Sequence, residues 1–381
     1  MRITHISIIH VPFDTRIFAK QCRTLAAAGH DVHLVIGGAP DEDIDGVQFH
    51  AISREPERPP ARRQLSRLVR AAVWALRLRP STVVLHDPHL IPLGLLLKLG
   101  GFRVVYDVHE DYPGHARAKL AGHRVRTFFK TRLWGALEGA AARRLDHFAC
   151  AGPDIAARFP RSRTTVVHNF PLYARFAQGS TNGVFRPYAD RPNTVVFHGV
   201  MANFRDPTNL LNAIQLLPAE LDCRLRLIGS FRQPELARKA ARAERVDVVP
   251  WQPFDGIVRE LFAARAGLAL FYALPNNIEM AIRSNKLFEY MAAGLPVIAS
   301  DLPAWRKIVL GTGCGLVADP HDPAAIAAAI EHLLTNPDEA EAMGERGRAA
   351  VRERFNWERE APVLVSLYRD LQKAERISLR R

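Results

Sequence analysis

A chain of 381 residues with 48% hydrophobic and 24% charged residues has a globular composition, which argues against wholesale disorder and fibrous repeats. Its length exceeds what one hydrophobic core ordinarily serves, so two domains are expected. The formal net charge of +13 calls for an anionic counterpart: nucleic acid, anionic lipid or a phosphorylated substrate.

The opening MRITHISIIHVPFD lacks the apolar region of a secretory signal and reads as a first buried strand, so an intracellular location is expected. TRIFAKQCRTLAAAG (15–29) reads as a helix, with Asp14 or Thr15 as N-cap and Gly29 as its stop, and DVHLVIGG (31–38) as the next strand. RRQLSRLVRAAVWALRLR (62–79) spaces apolar residues at helical intervals between arginines. The same holds for HARAKLAGHRVRTFFKTRLWGAL (115–137), which adds Phe128, Phe129 and Trp134. Such helices suit an anionic membrane surface; the alternative is an ordinary helix with a basic solvated face. STVVLHD (81–87), a helix around 90–99, FRVVYDVHE (102–110), DHFACAG (146–152) and TTVVHN (164–169) complete the first half. The apolar window 90–102, interrupted by Lys98, is too short to span a bilayer. Cys22, Cys150, Cys223 and Cys314 are scattered without C-x-x-C spacing, which indicates neither zinc nor a disulfide framework.

ARFAQGSTNGVFRPYADRPN (174–193) carries no periodicity and reads as a linker. Alternation then restarts with strands NTVVFHG (193–199), CRLRLIG (223–229), VDVVPW (246–251), GLALFYA (267–273), LPVIAS (295–300) and CGLVAD (314–319), separated by helices. Strands this apolar belong to parallel sheets covered by helices. The expected organisation is an α/β chain of two Rossmann-like doubly wound domains, 1–175 and 190–357, with a C-terminal helix, 358–381, crossing back to the first.

In parallel sheets ligands sit beyond the carboxyl ends of the strands, and two such sheets face to face leave a cleft as the expected site. Those positions hold Asp14, Arg16, Asp87, His109 and Glu110 in the first half. In the second they hold Gly199, Arg205, Gly229 and Trp251, and the segment RSNKLFEYMAAGLPVIAS (283–300). A helix starting near Arg283 presents free N–H groups and its positive dipole end to an anion, and Lys286 adds a full charge. Glu289, three residues on, shares nearly the same face and as an acceptor-only carboxylate suits a ribose diol. Cation for pyrophosphate and carboxylate for ribose describe a nucleotide pocket; the competing reading is a surface ion pair of little consequence. Trp251 could stack on a base, with backbone contacts from its loop the equal alternative. His86 and His89 stand at i, i+3 without an evident third ligand, so no metal is expected. Asp14 could equally cap the first helix.

Residues 283–300 resemble the C-terminal motif of the retaining glycosyltransferases of family 4, which have the GT-B fold. PFDTRIFAKQCRTLAAAGHDVHLV (12–35) is similar to that family's first β-α-β unit, LHDPHLIPLGLLLKLGGFRVVYDVHEDYP (85–113) to its acceptor-domain signature, and FNWERE (355–360) to the run into its last helix. The resemblance implies that Glu289 holds the donor ribose, that His109 contacts the transferred sugar, and that Arg205, with Lys286 or Arg283, binds the diphosphate. His109, Arg205 and Lys286 are then the catalytic set, and Asp14, Arg16, Asp87 and Glu110 face the acceptor. Two positions depart from the pattern: Ala281 replaces a family glutamate, with Glu279 the nearest carboxylate, and Val200 replaces a basic residue after Gly199. The implied substrate is a nucleotide-sugar, UDP- or GDP-linked, used without cofactor or metal. The basic helices of the first domain make a lipid-linked saccharide of envelope polysaccharide assembly, reached from the inner face of the membrane, the first expected acceptor, with soluble small-molecule acceptors the alternative. An epimerase of the same fold and a basic nucleic-acid-binding protein are the alternatives; the latter lacks any recognition motif, and a dehydrogenase would need a G-x-G-x-x-G where HVPFDT stands.

Overall fold

The first half builds one seven-stranded parallel sheet from β1 (Arg2–Ile6), β2 (Asp31–Gly37), β3 (Val47–Ser53), β4 (Thr82–Leu85), β5 (Arg103–Val108), β6 (His147–Cys150) and β7 (Thr164–Val166). The order is β3-β2-β1-β4-β5-β6-β7. The structure is a computed structural model and describes residues 1–40, 42–55, 61–109, 111, 124–181, 186–202, 205–273 and 282–378. The central strands are buried on both faces, which is why they read as unbroken apolar runs. β3 escapes a sequence reading: VQFHAIS alternates buried and part-exposed residues at the sheet edge, and its strand state comes from pairing with β2.

Helices Ala61–Leu78, Ile91–Leu99 and Arg124–Arg144 share one core with that sheet. Ala71 and Ala75, Ile91 and Leu97, and Ala141 and Leu145 are buried against Val83, Leu85 and Val104. The segment after β1 winds wide, with Ala19 N–H donating to the Asp14 carbonyl at 3.2 Å, as a π-helix over Thr15–Cys22 before tightening to an α-helix at Arg23–Ala27. The C-terminal helix Trp357–Ser378 packs here too. Trp357 Nε1 donates to Thr24 Oγ1 at 2.9 Å, Glu360 accepts from His168 N–H at 2.8 Å, and Arg103 donates to the Leu371 carbonyl at 2.7 Å.

The chain thus divides into two compact units: Met1–Asn169 together with the segment from Trp357 onward, and Phe170–Asn356. The second holds β8 (Thr194–Met201), β9 (Arg224–Phe231), β10 (Val246–Val249), β11 (Ala266–Ala269), β12 (Val297–Ser300) and β13 (Gly315–Ala318), in the parallel order β10-β9-β8-β11-β12-β13. Residues 174–193 are not a bare linker. Helix Tyr173–Thr181 buries Phe176, and after it Tyr188 Oη donates to the Arg265 carbonyl at 2.9 Å, so the segment is part of the second unit. In each sheet the strand order reverses next to the first strand, between β1 and β4 and between β8 and β11, where α/β sheets open their binding crevice.

Candidate functional site

At the switch point of the second sheet, β8 runs into Gly199 (φ +121°), paired in register with Gly229 (φ +135°) on β9. A Cβ on Gly229 would stand 2.1 Å from the Gly199 carbonyl oxygen, and one on Gly199 would stand 2.4 Å from Lys286 Cε and 2.6 Å from Nζ. Glycine is needed here twice over, for its left-handed backbone and because a lysine lies across it. That lysine comes from helix Asn285–Ala292, whose first N–H groups donate no hydrogen bond to the Ser284 side chain.

One turn further, Glu289 is buried with its Oε2 3.3 Å from His198 Nε2. His198 is fixed in turn by its backbone N–H, which donates to Tyr290 Oη at 3.2 Å, and by edge-on contact with the Tyr290 ring. The Arg205 guanidinium lies over Phe271, 4.7 Å from the ring centre. Burial and the Arg205 charge lower the Lys286 ammonium to about 7, against the opposing pull of Glu289. Burial, then Lys286 and Arg205, holds His198 well below its usual range, hence neutral. Positive charge is in excess and partly desolvated, the condition an anion relieves. Arg283 is buried just ahead of the helix, and Trp251, which follows β10, is 72% exposed. Glu279 and Ala281 lie outside the described residues.

The first sheet carries a second polar cluster at its own switch point. Asp107, fully buried on β5, accepts from Arg16 Nη2 at 2.6 Å and Nε at 3.1 Å, from Gln21 at 3.0 Å and from His86 Nδ1 at 3.0 Å, and has His109 Nδ1 at 3.4 Å. Burial opposes its ionisation, but the Arg16 charge and the His109 and His86 bonds keep it well below the usual 3.8. Asp87, also fully buried, accepts from Ile8 N–H at 2.6 Å and Ser7 Oγ at 3.0 Å, with His10 Nδ1 at 2.9 Å. Three residues expected on the acceptor side have internal partners. Arg16 is buried in an internal ion pair and also donates to the Val167 carbonyl at 3.1 Å, Asp87 is locked inside the sheet end, and Asp14 Oδ1 caps the first helix through Arg16 and Ile17 N–H at 2.8 and 2.9 Å. What these groups hold in place is His109, part-exposed, with the His10 ring edge-on to it at 5.1 Å. Glu110 lies outside the described residues.

His86 pairs with His5 and Asp107 rather than with His89, whose ring meets Trp134 edge-on. Among the described residues His86, Asp107 and His109 could together reach one ion. The Arg16 guanidinium already neutralises Asp107, so a cation there would face a fixed positive charge. Sequence reading had no means to find His198 and Asp107 as supports, since each sits inside an apolar strand and is recognised only by its distant partner.

Two parallel sheets, each with glycines or polar groups gathered where strand order reverses, define a pair of Rossmann-like doubly wound units. Residues 15–169 match the model "Glycosyl transferase 4-like domain" and residues 192–336 match "Glycosyl transferases group 1". The chain belongs to these group 1, family-4-like glycosyltransferases and has the GT-B fold; it is a nucleotide-sugar glycosyltransferase. It is 26% identical over 297 residues to the MMP alpha-(1->4)-mannosyltransferase of Mycolicibacterium hassiacum, covering 75% of this chain and 70% of that one. It is 26% identical over 232 residues to the lipopolysaccharide core biosynthesis mannosyltransferase LpsB of Rhizobium meliloti, covering 51% and 65%. Sucrose-phosphate synthase from Thermosynechococcus elongatus superposes with a TM-score of 0.73 at 21% identity over 98% of this chain and all of that one.

Proposed function

We propose that this transferase moves a hexosyl group from a UDP- or GDP-sugar to a hydroxyl of a lipid-linked saccharide, with retention at the anomeric carbon and without a metal. The observation that carries the proposal is the Lys286 side chain lying across Gly199, its ammonium lowered to about 7 by burial and Arg205, with buried Glu289 one turn away. A diphosphate is the ligand that such unbalanced charge favours, and a ribose diol is what the carboxylate can accept bonds from.

In the reaction the bond from C1 to the diphosphate oxygen breaks as the acceptor oxygen bonds to C1 on the same face, and the acceptor proton passes to the departing phosphate. Arg205, Lys286 and the N-terminus of helix Asn285–Ala292 stabilise the negative charge that develops on that phosphate, a task a divalent ion performs elsewhere. Arg283 is assigned to the same diphosphate, Trp251 to the base and His109 to the transferred sugar. Mannosyl donors come first in the screen because the two relatives carry mannosyltransferase in their names, and one of them acts in lipopolysaccharide core biosynthesis.

Thermal-shift measurement against UDP-, GDP-, ADP- and dTDP-sugars tests the donor side, since a ligand preferring the native state raises the melting temperature. One of the panel stabilises the protein, and Glu289→Ala abolishes that shift; a shift unchanged in the variant removes the ribose assignment. Transfer persists in EDTA. Isomerised sugar nucleotide formed without acceptor would point to an epimerase instead.

A further inference from the structure

Three helices cover one face of the first sheet; two of them bury alanines inward, and all three turn large apolar residues outward. On helix Ala61–Leu78, Leu65, Val69, Val73 and Leu76 are between 39 and 65% exposed. Their spacing of four, four and three places them on one stripe. The opposite side of the same helix carries the buried Ala71 and Ala75. Helix Arg124–Arg144 repeats the arrangement, with Phe128, Phe129 and Leu133 each more than half exposed while Ala141 is buried in the same core. Helix Ile91–Leu99 lies in this layer as well and exposes Leu96 and Leu99.

A monomer in water has no reason to keep so much apolar surface on one layer. The charges beside it indicate what covers it. Among the described side chains, Arg70, Arg77 and Arg79 are exposed on or just after helix Ala61–Leu78 and Lys130 and Arg132 on helix Arg124–Arg144, with no aspartate or glutamate in 64–79 or 128–137. Arg70 and Arg77 flank the Leu65–Leu76 stripe, and Lys130 and Arg132 are exposed beside Phe128 and Phe129, with Arg132 5.2 Å from the Phe128 ring. Against a second copy of this chain, those cations would meet like charges. No helix among the described residues is long and apolar enough to cross a membrane.

We propose that the outer surface of this helix layer lies on an anionic lipid bilayer, with the apolar stripe in the acyl boundary and the flanking arginines and lysines at the phosphate level. The inference rests on the transferase reading only for its purpose, delivery of a lipid-linked acceptor; the surface itself is argued from its own residues.

The test is co-sedimentation of the full chain with phosphatidylglycerol and with phosphatidylcholine vesicles. Wild type pellets with the first and not the second, and added salt releases it. A Leu65→Ser/Val69→Ser/Leu76→Ser variant, changed only at exposed positions, loses roughly tenfold or more in partition, and Arg77→Glu/Lys130→Glu loses a similar factor on phosphatidylglycerol alone. In both variants the nucleotide-sugar thermal shift stays at the wild-type value, so membrane binding and the donor reading can fail separately. Failure of wild type to bind at low salt, or equal binding by the triple serine variant, overturns the proposal. A concentration-dependent dimer that the triple variant abolishes would assign the surface to a second copy and overturn it equally.

Discussion

The ligand-free protein holds Lys286 at a cost that a diphosphate should remove. Its ammonium stands at about 7 rather than 10.5, and at about 1.4 kcal/mol per pH unit that displacement corresponds to a protonation cost on the order of 4–5 kcal/mol. At pH 8 a lysine with that value is about one-tenth protonated. Beside two phosphate charges it would be fully protonated. Nucleotide binding at pH 8 should therefore take up roughly 0.5–1 proton. The nucleoside diphosphate is itself fully ionised at that pH, since its last ionisation lies near 6, and His198 is neutral before binding. Isothermal titration calorimetry in buffers of different ionisation enthalpy measures the uptake directly, with GDP or UDP as the screen selects. Lys286→Met should bind weakly and take up no proton. Its stability should also lose a pH slope: between 7 and 10.5 the unfolded wild-type chain holds a proton that the folded one lacks, so wild-type stability climbs through that window, whereas below 7 the full cost is present. Binding enthalpies independent of buffer in wild type, or equal uptake in Lys286→Met, would refute the charge balance.

Gly199→Ala should cost about 1–3 kcal/mol in urea unfolding and raise the donor KM at least tenfold, because the left-handed backbone is strained by a side chain and the new methyl displaces Lys286. Asp107→Asn should destabilise the protein by about 3–5 kcal/mol, since it uncouples the buried Arg16 guanidinium. Wild-type stability should fall as pH drops below 6.5, because burial lowers His5 and His86 and the unfolded chain takes up those protons first. It should fall again as pH passes below 3.8 towards the depressed value of Asp107, whose contribution is complete above 3.8; pH-dependent urea midpoints report both steps. Trp357→Ala should remove about 3–5 kcal/mol from the first unit, as it empties a buried ring site and the bond to Thr24.

Much of the second-unit site was legible because its chemistry is local. Lys286 and Glu289 are three residues apart on one helix, and that spacing alone sets their shared face. Gly199 and Gly229, each two residues before the end of its strand, were visible as glycines closing apolar runs, and the register that pairs them follows from adjacent parallel strands. The acceptor-side residues were harder. Arg16 and Asp87 stand at strand ends, as a binding residue would, yet both are buried in bonds to groups about 80 to 90 positions away.

Periodicity, caps and strand runs, all properties of neighbouring residues, determined the α/β alternation, two parallel sheets and the shared helix face of Lys286 and Glu289. Only tertiary structure decided that β3 is a strand, that helix Tyr173–Thr181 belongs to the second unit, and that Asp107 and His198 support His109 and Glu289. It also decided which side of the basic helices faces out: the sequence shows an apolar stripe, and the packed core shows that Leu65 and Phe128 point away from it. The reason is physical. A side chain's burial and charge state depend on groups far along the chain, and only the folded sheet brings those together.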